Sequence, residues 1–215
     1  CSADSRLCVT VTLRDASGRT VARGTLPRQN VKTGTLSTLG EVQARLDGKR
    51  AERLNLEVTI PAAEAANDWD LWVFPKEPPA EPAGNVVIAR ELGDEAVRHL
   101  EKGGSVLLVP PAAAIRNDEK HPLRMGFSSI FWNTVWTNWQ PPHTLGILCD
   151  PNHPALARFP TEYHSNWQWW ELIHNAAPFI VTDHRDLKPV VQVVDDWVTA
   201  RKLALVFEVR VGQGK

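Results

Sequence analysis

Tryptophan is concentrated in one stretch of the chain, and these residues have the chemistry to bind a ligand. The sequence holds nine Trp against one Tyr and one Met, and six of the nine fall between residues 132 and 170. The apolar faces of sugar rings stack on indole, while neighbouring amide and imidazole groups hydrogen-bond the hydroxyls. The stretch therefore predicts a sugar-binding platform. Its candidate residues are Trp132, Asn133, Trp136, Asn138, Trp139, His164, Asn166, Trp167, Trp169 and Trp170.

The same tryptophans are also explained by burial in a core. Two pairs of them are three residues apart, a spacing that places side chains on one face of a helix, and such apolar faces usually pack inward. The pairs are Trp136 with Trp139 and Trp167 with Trp170. Trp132 and Trp169 fall off these faces, so we expect these two to be more accessible to a ligand.

Acidic and histidine side chains crowd the same stretch and suggest catalysis as an alternative. General acid–base work needs two such groups that converge on one pocket. Glu162, His164 and Glu171 are the candidates for a hydrolase acting on glycosides. His164 and His174 are ten residues apart, unlike the spacing of a helical zinc pair, and the three cysteines have no metal-like spacing. We therefore expect neither a metal nor another cofactor.

Two regions with different patterns must position these residues. Alternating apolar residues at 7–13, 54–60 and 69–73 predict strands, and turn residues after the first predict a hairpin. Residues 1–75 are therefore predicted to form an antiparallel β-sandwich. Within it, one set of apolar residues has helical spacing: Leu36, Leu39, Val42 and Leu46. Prolines then indicate a linker at residues 76–85.

Residues 86–215 predict an α/β region. A strand at 86–89, a helix at 94–102 and a strand at 105–109 form a βαβ unit, which implies a parallel sheet. Two further helices are predicted, at residues 128–139 and at residues 166–175, the second with a capping box of Ser165 and Gln168. Further strands are predicted at residues 178–182, 189–194 and 203–211.

Charge and hydropathy exclude two classes of partner. The 24 Lys and Arg nearly balance the 25 Asp and Glu, which leaves a formal net charge of -1. No strong positive field attracts nucleic acid, so we expect no nucleic-acid partner. No uninterrupted apolar run reaches the 18 residues or so of a membrane-spanning helix, so we expect no membrane span.

Long runs of the sequence resemble the C-terminal accessory region of bacterial glycoside hydrolase family 2 and β-galactosidase-like proteins. The runs are FSSIFWNT at 127–134, LGILCDPNHP at 145–154 and FPTEYHSNWQWW at 159–170. NDWDLWVFP at 67–75 resembles the end of the preceding immunoglobulin-like domain, and residues 207–215 resemble the closing hairpin. The resemblance therefore spans nearly the whole chain.

The resemblance implies an α+β chain of two domains. The first is an immunoglobulin-like antiparallel β-sandwich over residues 1–75. The second, at 86–215, is an α/β flavodoxin-like, class I glutamine-amidotransferase-like domain that stops before the last strand and helix of related chains. Cys149 lacks the glycine that follows the nucleophile of such amidotransferases, so we do not expect amidase chemistry.

The resemblance also implies a function and a location. The catalytic carboxylates of such enzymes lie on a separate TIM barrel, for which 215 residues leave no room. We therefore expect a non-catalytic accessory region, periplasmic or extracellular, in a bacterium. Its partners would be an oligo- or polysaccharide and the rest of a parent glycoside hydrolase. A third hypothesis is a structural module for homo-oligomer contact, in which all nine Trp are buried.

Overall fold

The structure is a computed structural model that describes residues 5–32, 34–77, 84–128 and 136–215. The chain divides into two compact units, one of residues 1–78 with 158–160 and one of residues 79–157 with 161–215. It is a mixed structure made mostly of antiparallel sheets with few helices. Trp132 and Asn133 lie outside the described residues.

The first unit is built on a four-stranded antiparallel sheet with the strand order β2–β1–β3–β4. Its strands are β1 (Ser5–Asp15), β2 (Thr20–Val31), β3 (Glu52–Ile60) and β4 (Ala65–Val73). The predicted apolar alternation places Val9, Leu13 and Leu54 in the core, where each is less than 9% exposed. The described residues of this unit show one sheet, so the second layer of a sandwich is not seen among them.

The turn between β1 and β2 forms as its residue types predict. Asp15 Oδ1 accepts hydrogen bonds from the backbone N–H groups of Ser17 and Arg19, at 3.0 and 3.1 Å. The Ser17 hydroxyl also donates to this oxygen, and Gly18 takes the positive φ of 83° that the turn requires. The hydrogen bond from the Ser17 hydroxyl is the main cause that lowers the pKa of Asp15 to about 2.

The helical turn predicted at Leu36–Leu46 is wrong, because residues 36–48 have no regular secondary structure. Their side chains and carbonyls interact with β2 instead. Gln29 donates a side-chain hydrogen bond to the carbonyl of Leu39. Val42 packs so closely on Gly24 that a Cβ there would lie 2.7 Å from Val42 Cγ1. Contacts with the sheet thus replace the hydrogen bonds of a helix.

The second unit contains two sheets in its described residues. Strands β5 (Val86–Ala89) and β6 (Ser105–Leu108) are parallel and are connected by α1 (Asp94–Glu101), as the predicted βαβ unit requires. The larger sheet is antiparallel, with the order β7–β9–β10–β8. Its strands are β7 (Gly146–Cys149), β8 (Phe179–Ile180), β9 (Val191–Val194) and β10 (Lys202–Val206). Among the described residues, the parallel sheet has the strands β5 and β6 only, so the extended parallel sheet of a flavodoxin-like domain is not seen there.

The Trp-rich stretch is less helical than its spacing predicts. The helix expected at 166–175 is a 3₁₀ turn, Trp167–Trp169, followed by the short helix α2 (Trp170–His174). Its N-cap is Asn166, not the predicted Ser165. Most of the helix expected at 128–139 lies outside the described residues, and residues 136–139 form a turn. The last predicted strand ends at residue 206 and does not continue to 211.

Candidate functional site: a basic cavity beside exposed tryptophans

A hydrogen-bonded loop that begins at Asn117 forms one wall of the candidate site. Asn117 Oδ1 accepts from the Leu123 N–H at 2.8 Å, and Asn117 Nδ2 donates to the Leu123 carbonyl at 3.0 Å. Asp118 Oδ1 accepts from the N–H groups of Lys120 and His121, at 2.9 and 3.1 Å. Such side-chain bonds fix the loop backbone. They therefore set the positions from which the Lys120 and His121 side chains extend.

Arg201 connects this loop to the residues that follow β9. Its Nε and Nη2 donate to Asp195 at 2.8 and 3.2 Å, and its Nη1 donates to Asp118 Oδ2 at 3.3 Å and to the His121 carbonyl at 2.8 Å. The side chains of Arg201 and Asp195 are 9% and 2% exposed. Water screens a pair at this depth only weakly, so the pair holds the loop firmly.

The carboxylates around Arg201 are stabilised in their charged form. Hydrogen bonds from the N–H groups of His121 and Lys120, helped by the charge of Arg201, hold the pKa of Asp118 below its usual value. Burial raises the pKa of Asp196, but backbone hydrogen bonds from the next turn and the charge of Arg201 outweigh burial and lower it overall. Both groups are therefore ionised at neutral pH.

The loop and the segment around Pro141 enclose a cavity of ≈ 350 Å³, here called the basic cavity. Its lining residues are Lys120, His121, Pro122, Arg124, Trp139, Pro141 and His143. The ring centroids of Trp139 and His121 are 4.8 Å apart. The buried His143 joins the walls, because its Nδ1 accepts from the Arg124 N–H at 3.1 Å and its Nε2 donates to the Trp139 carbonyl at 2.9 Å. The cavity thus combines an indole with a positively charged rim.

A group of aromatic rings, here called the aromatic strip, lies on the surface of the same unit. Its members are Phe127, Trp167, Trp170 and His174. The Trp170 ring is central: its centroid lies 5.6 Å from that of Phe127, 6.4 Å from that of Trp167 and 4.3 Å from that of His174. Trp167 is 71% exposed and Trp170 is 48% exposed. The strip therefore presents two large apolar rings to solvent.

Gly126 joins the basic cavity to the aromatic strip. The buried Thr144 hydroxyl accepts from the Gly126 N–H at 3.0 Å and donates to the Gly126 carbonyl at 2.7 Å. A Cβ at Gly126 would lie 2.5 Å from Pro142 Cβ and 3.7 Å from His174 Nε2. Pro142 follows the cavity residue Pro141, and His174 belongs to the strip. The cavity and the strip therefore adjoin.

The exposure of the Trp residues is the reverse of what their spacing predicts. Trp169, expected to be accessible, is 4% exposed, and its Nε1 donates to Thr161 Oγ1 at 2.8 Å. The four expected to pack inward are exposed instead: Trp136, Trp139, Trp167 and Trp170. Trp167 and Trp170 do share one face, with centroids 6.4 Å apart, but that face is turned to solvent while Trp169 points inward, and residues 136–139 form a turn and not a helix. Trp132 lies outside the described residues.

The predicted polar partners lie outside the cavity lining. Asn138 is exposed and adjoins Trp139. The half-buried Asn166 donates its side-chain hydrogen bond to the Glu162 carboxylate. His164 is exposed, and its Nδ1 bonds the Ser165 carbonyl at 3.0 Å. Asn133 is outside the described residues.

The three residues weighed for catalysis are engaged in local hydrogen bonds. Glu162 accepts from Asn166, and Glu171 of α2 accepts at 3.1 Å from Nδ2 of Asn175, the residue that follows this helix. Neither of them lines the basic cavity, and His164 does not line it either. The structure therefore does not gather these three groups around that cavity.

The described part of the chain shows neither an activated cysteine nor a cluster of metal-ligating side chains. Burial raises the pKa of Cys149 to about 11, so its thiol stays protonated at neutral pH and is not an activated nucleophile. Among the described residues, no group of three His, Cys, Asp or Glu could hold a metal ion. None of the helices described in the structure has the length and apolar character of a membrane-spanning segment.

Sequence reasoning missed most of the cavity and half of the strip. The missed residues are Lys120, His121, Pro122, Arg124, Phe127, Pro141, His143 and His174. One local signal was present: the adjacent Asn117 and Asp118 predict a side-chain-bonded turn, and three basic residues follow within six positions. No local sequence pattern indicates that this loop pairs with Arg201.

Comparison with known proteins gives two family matches that follow one another along the chain. Residues 5–75 match a family described as Domain of unknown function (DUF8488), and residues 87–215 match one described as Domain of unknown function (DUF8487). Among curated proteins, no match to the chain was found. The second match contains the basic cavity and the aromatic strip and covers more than half of the sequence. The chain therefore belongs to the DUF8487 family.

Proposed function

We propose that this chain binds glycan through the aromatic strip, as a non-catalytic accessory region of a carbohydrate-active enzyme. The observation that carries the proposal is the exposure of Trp167 and Trp170, whose ring centroids lie 6.4 Å apart. Burying a large apolar side chain contributes about 1.5–3 kcal/mol, and leaving one exposed forgoes that. Two adjoining exposed indoles therefore favour a surface that a ligand covers.

The chemistry of the strip fits a sugar ring. A pyranose presents C–H groups on one face, which pack on an indole, and hydroxyls at its edge, which need hydrogen-bond partners. His174 supplies such a partner. Its Nδ1 is taken by the Trp170 carbonyl at 2.7 Å. A neutral ring with the proton on Nδ1 leaves Nε2 as an acceptor for a hydroxyl.

The proposed parent is a glycoside hydrolase of family 2 type, in the periplasm or outside the cell. Its support is the resemblance of the sequence runs at 127–134, 145–154 and 159–170. On the same basis we propose an immunoglobulin-like fold for the first unit and an amidotransferase-like fold for the second. The antiparallel sheet of the first and the parallel pair β5–β6 of the second are compatible with these folds.

A protein partner is the competing explanation for exposed indoles. A homo-oligomer or a neighbouring domain would cover the strip with apolar side chains and would leave no sugar-dependent signal. The hypothesis that all nine Trp are buried is wrong, since Trp197, for example, is 56% exposed. Oligomer contact through exposed Trp is therefore an outcome that the test must distinguish.

The test is a titration of Trp fluorescence with a panel of neutral plant and microbial oligosaccharides, with release of reducing ends followed in the same samples. Three proteins are compared: the native chain, Trp167→Ala/Trp170→Ala, and the control Trp197→Ala, which removes an indole outside the strip. Size-exclusion chromatography of each reports on self-association.

We expect saturable binding by the native and control proteins and at least about tenfold weaker binding by the strip variant, a loss of about 1.4 kcal/mol. Equal affinity in all three proteins would place the sugar elsewhere and overturn the proposal. No binding, with a dimer that the strip variant loses, would assign the surface to protein contact. Product release would overturn the non-catalytic part.

A further inference from the structure

We propose that the basic cavity binds the carboxylate of an acidic sugar residue, so that the glycan recognised is one that contains uronic acid. The inference rests on the proposed function of the aromatic strip and adds the substrate class. Lys120 and Arg124 would hold the carboxylate, and Trp139 would stack on the ring that carries it.

Two cations of the cavity, Lys120 and Arg124, have no counter-ion among the residues that the structure describes. Within the described ranges, neither the Lys120 ammonium nor the Arg124 guanidinium has a carboxylate within ion-pair distance, and both residues are exposed. The acid of the same loop, Asp118, is occupied by Arg201 at 3.3 Å and by backbone N–H groups. The cavity therefore offers uncompensated positive charge to a ligand. An arginine binds a carboxylate through two parallel hydrogen bonds, and a lysine adds a point charge.

The indole at this cavity is held by an unfavourable backbone conformation. Asn138 and Trp139 have φ angles of 51° and 63°. A bulky residue such as Trp rarely adopts this left-handed region, and such strain persists only where surrounding contacts impose it. Here the buried His143 donates to the Trp139 carbonyl at 2.9 Å. The hydrogen bond from His143 and the contact with His121 therefore hold Trp139 at the cavity despite the strained backbone, in the position that stacking on a ligand needs.

The size of the cavity is that of a small-molecule site, which is large enough for a sugar residue. Its volume of ≈ 350 Å³ is near the lower end of the range of about 300–1,000 Å³ for small-molecule sites. Since Gly126 lies between Pro142, next to the cavity, and His174 of the aromatic strip, we expect neighbouring residues of the same glycan to extend along the strip. The cavity would then select the acidic residue while the strip binds the rest of the chain.

The test compares acidic oligosaccharides with their neutral methyl esters. Tetramers of galacturonate and of glucuronate, each with its fully esterified form, are titrated into the 215-residue chain by isothermal calorimetry, with acetate as a small carboxylate. Lys120→Gln/Arg124→Gln removes the two cavity charges. Arg185→Gln/Lys188→Gln removes two exposed charges elsewhere in the second unit and is the matched control. Thermal unfolding confirms that each variant folds.

We expect at least one acid tetramer to bind about tenfold or more tightly than its ester, because the ester lacks the anionic oxygens. The cavity variant should lower the affinity for the acid to that for the ester and leave the ester unchanged. The control variant should bind as the native protein does.

The outcomes separate this inference from the proposed function. Equal affinity for acid and ester overturns the inference and leaves glycan binding intact, whereas binding of neither overturns the proposed function itself. An equal loss in the control variant means that the attraction is non-specific and also overturns the inference. Acetate that binds as well as the tetramers identifies a site for small carboxylates and overturns the assignment to sugar.

Discussion

Replacing Arg201 by Met is the sharpest perturbation of the framework behind the basic cavity. Methionine keeps much of the apolar stem but loses every guanidinium bond: two to Asp195, at 2.8 and 3.2 Å, one to the Asp118 carboxylate at 3.3 Å and one to the His121 carbonyl at 2.8 Å. Asp195 and Asp196 stay behind with side chains 2% and 0% exposed. Two buried carboxylates then lack their cation.

The expected loss in the free energy of unfolding follows from the burial of these two carboxylates. Removing one partner of a buried ion pair costs about 3–5 kcal/mol, because the remaining charge stays out of water. A domain of this size is stable by about 5–15 kcal/mol, so the second unit should be severely weakened. Lys215→Met is the matched control in the same unit, since Lys215 and Glu208 pair at 2.5 Å with side chains 58% and 40% exposed. A pair at that exposure contributes about 0–1 kcal/mol.

The assay is urea unfolding followed by Trp fluorescence, which mainly reports the second unit because Trp69 and Trp72 are the two Trp residues of the first. The midpoint for Arg201→Met should fall strongly with little change in slope. Loosening of the Asp118 loop should also weaken ligand binding at the cavity. A loss below about 1 kcal/mol, no larger than that of the control, would refute the role assigned to the buried pair.

Three further predictions follow from single side chains. Trp169→Ala should cost about 3–5 kcal/mol in urea unfolding, because the indole is 4% exposed, whereas Trp167→Ala, at a residue 71% exposed, should be nearly neutral. Asp15 has a pKa of about 2, below the value of about 3.9 in an unfolded chain. Its contribution to stability is therefore complete above about pH 4 and is lost as the pH falls through 2, so between pH 5 and 2 the native protein should lose more stability than Asp15→Asn. Cys149, with a pKa of about 11, should react with Ellman's reagent at pH 8 more slowly than a free thiol of ordinary pKa, as mass spectrometry of the labelled peptides will show.

The pattern of neighbouring residue types correctly predicted several strands and one helix. The alternation at Leu7–Leu13 and at Leu54–Ile60 gave strands because one face of each packs on a core. The helix at 94–101 formed where acidic residues begin it and a double glycine follows it. The strand at 191–194 followed from its β-branched valines.

The Trp-rich stretch could not be predicted because its geometry is set by contacts far away in the sequence. A spacing of three residues implied a shared face for Trp167 and Trp170, which they have, but that face is exposed and the buried ring is that of Trp169. Nothing in the local pattern indicated that Thr161 would accept the Trp169 indole hydrogen. The spacing therefore identified the segment that carries exposed Trp rings, but it predicted the wrong rings to be exposed.

The basic cavity was missed for a related reason. Lys120 and Arg124 look like ordinary surface charges until Arg201, some eighty residues later, positions the Asp118 loop. The helical turn predicted at 36–46 failed in the same way, because Gly24 and Gln29 of another element hold that segment. Contacts between residues far apart in the sequence determine the conformation of both segments.

Glycan binding through the aromatic strip is tested most directly by the oligosaccharide titration of the strip variant Trp167→Ala/Trp170→Ala beside Trp197→Ala. We expect saturable binding without product release in the native and Trp197→Ala proteins and at least about a tenfold loss of affinity in the strip variant. Binding that is unchanged in the strip variant, or no response to any sugar in the native protein, would contradict the proposal.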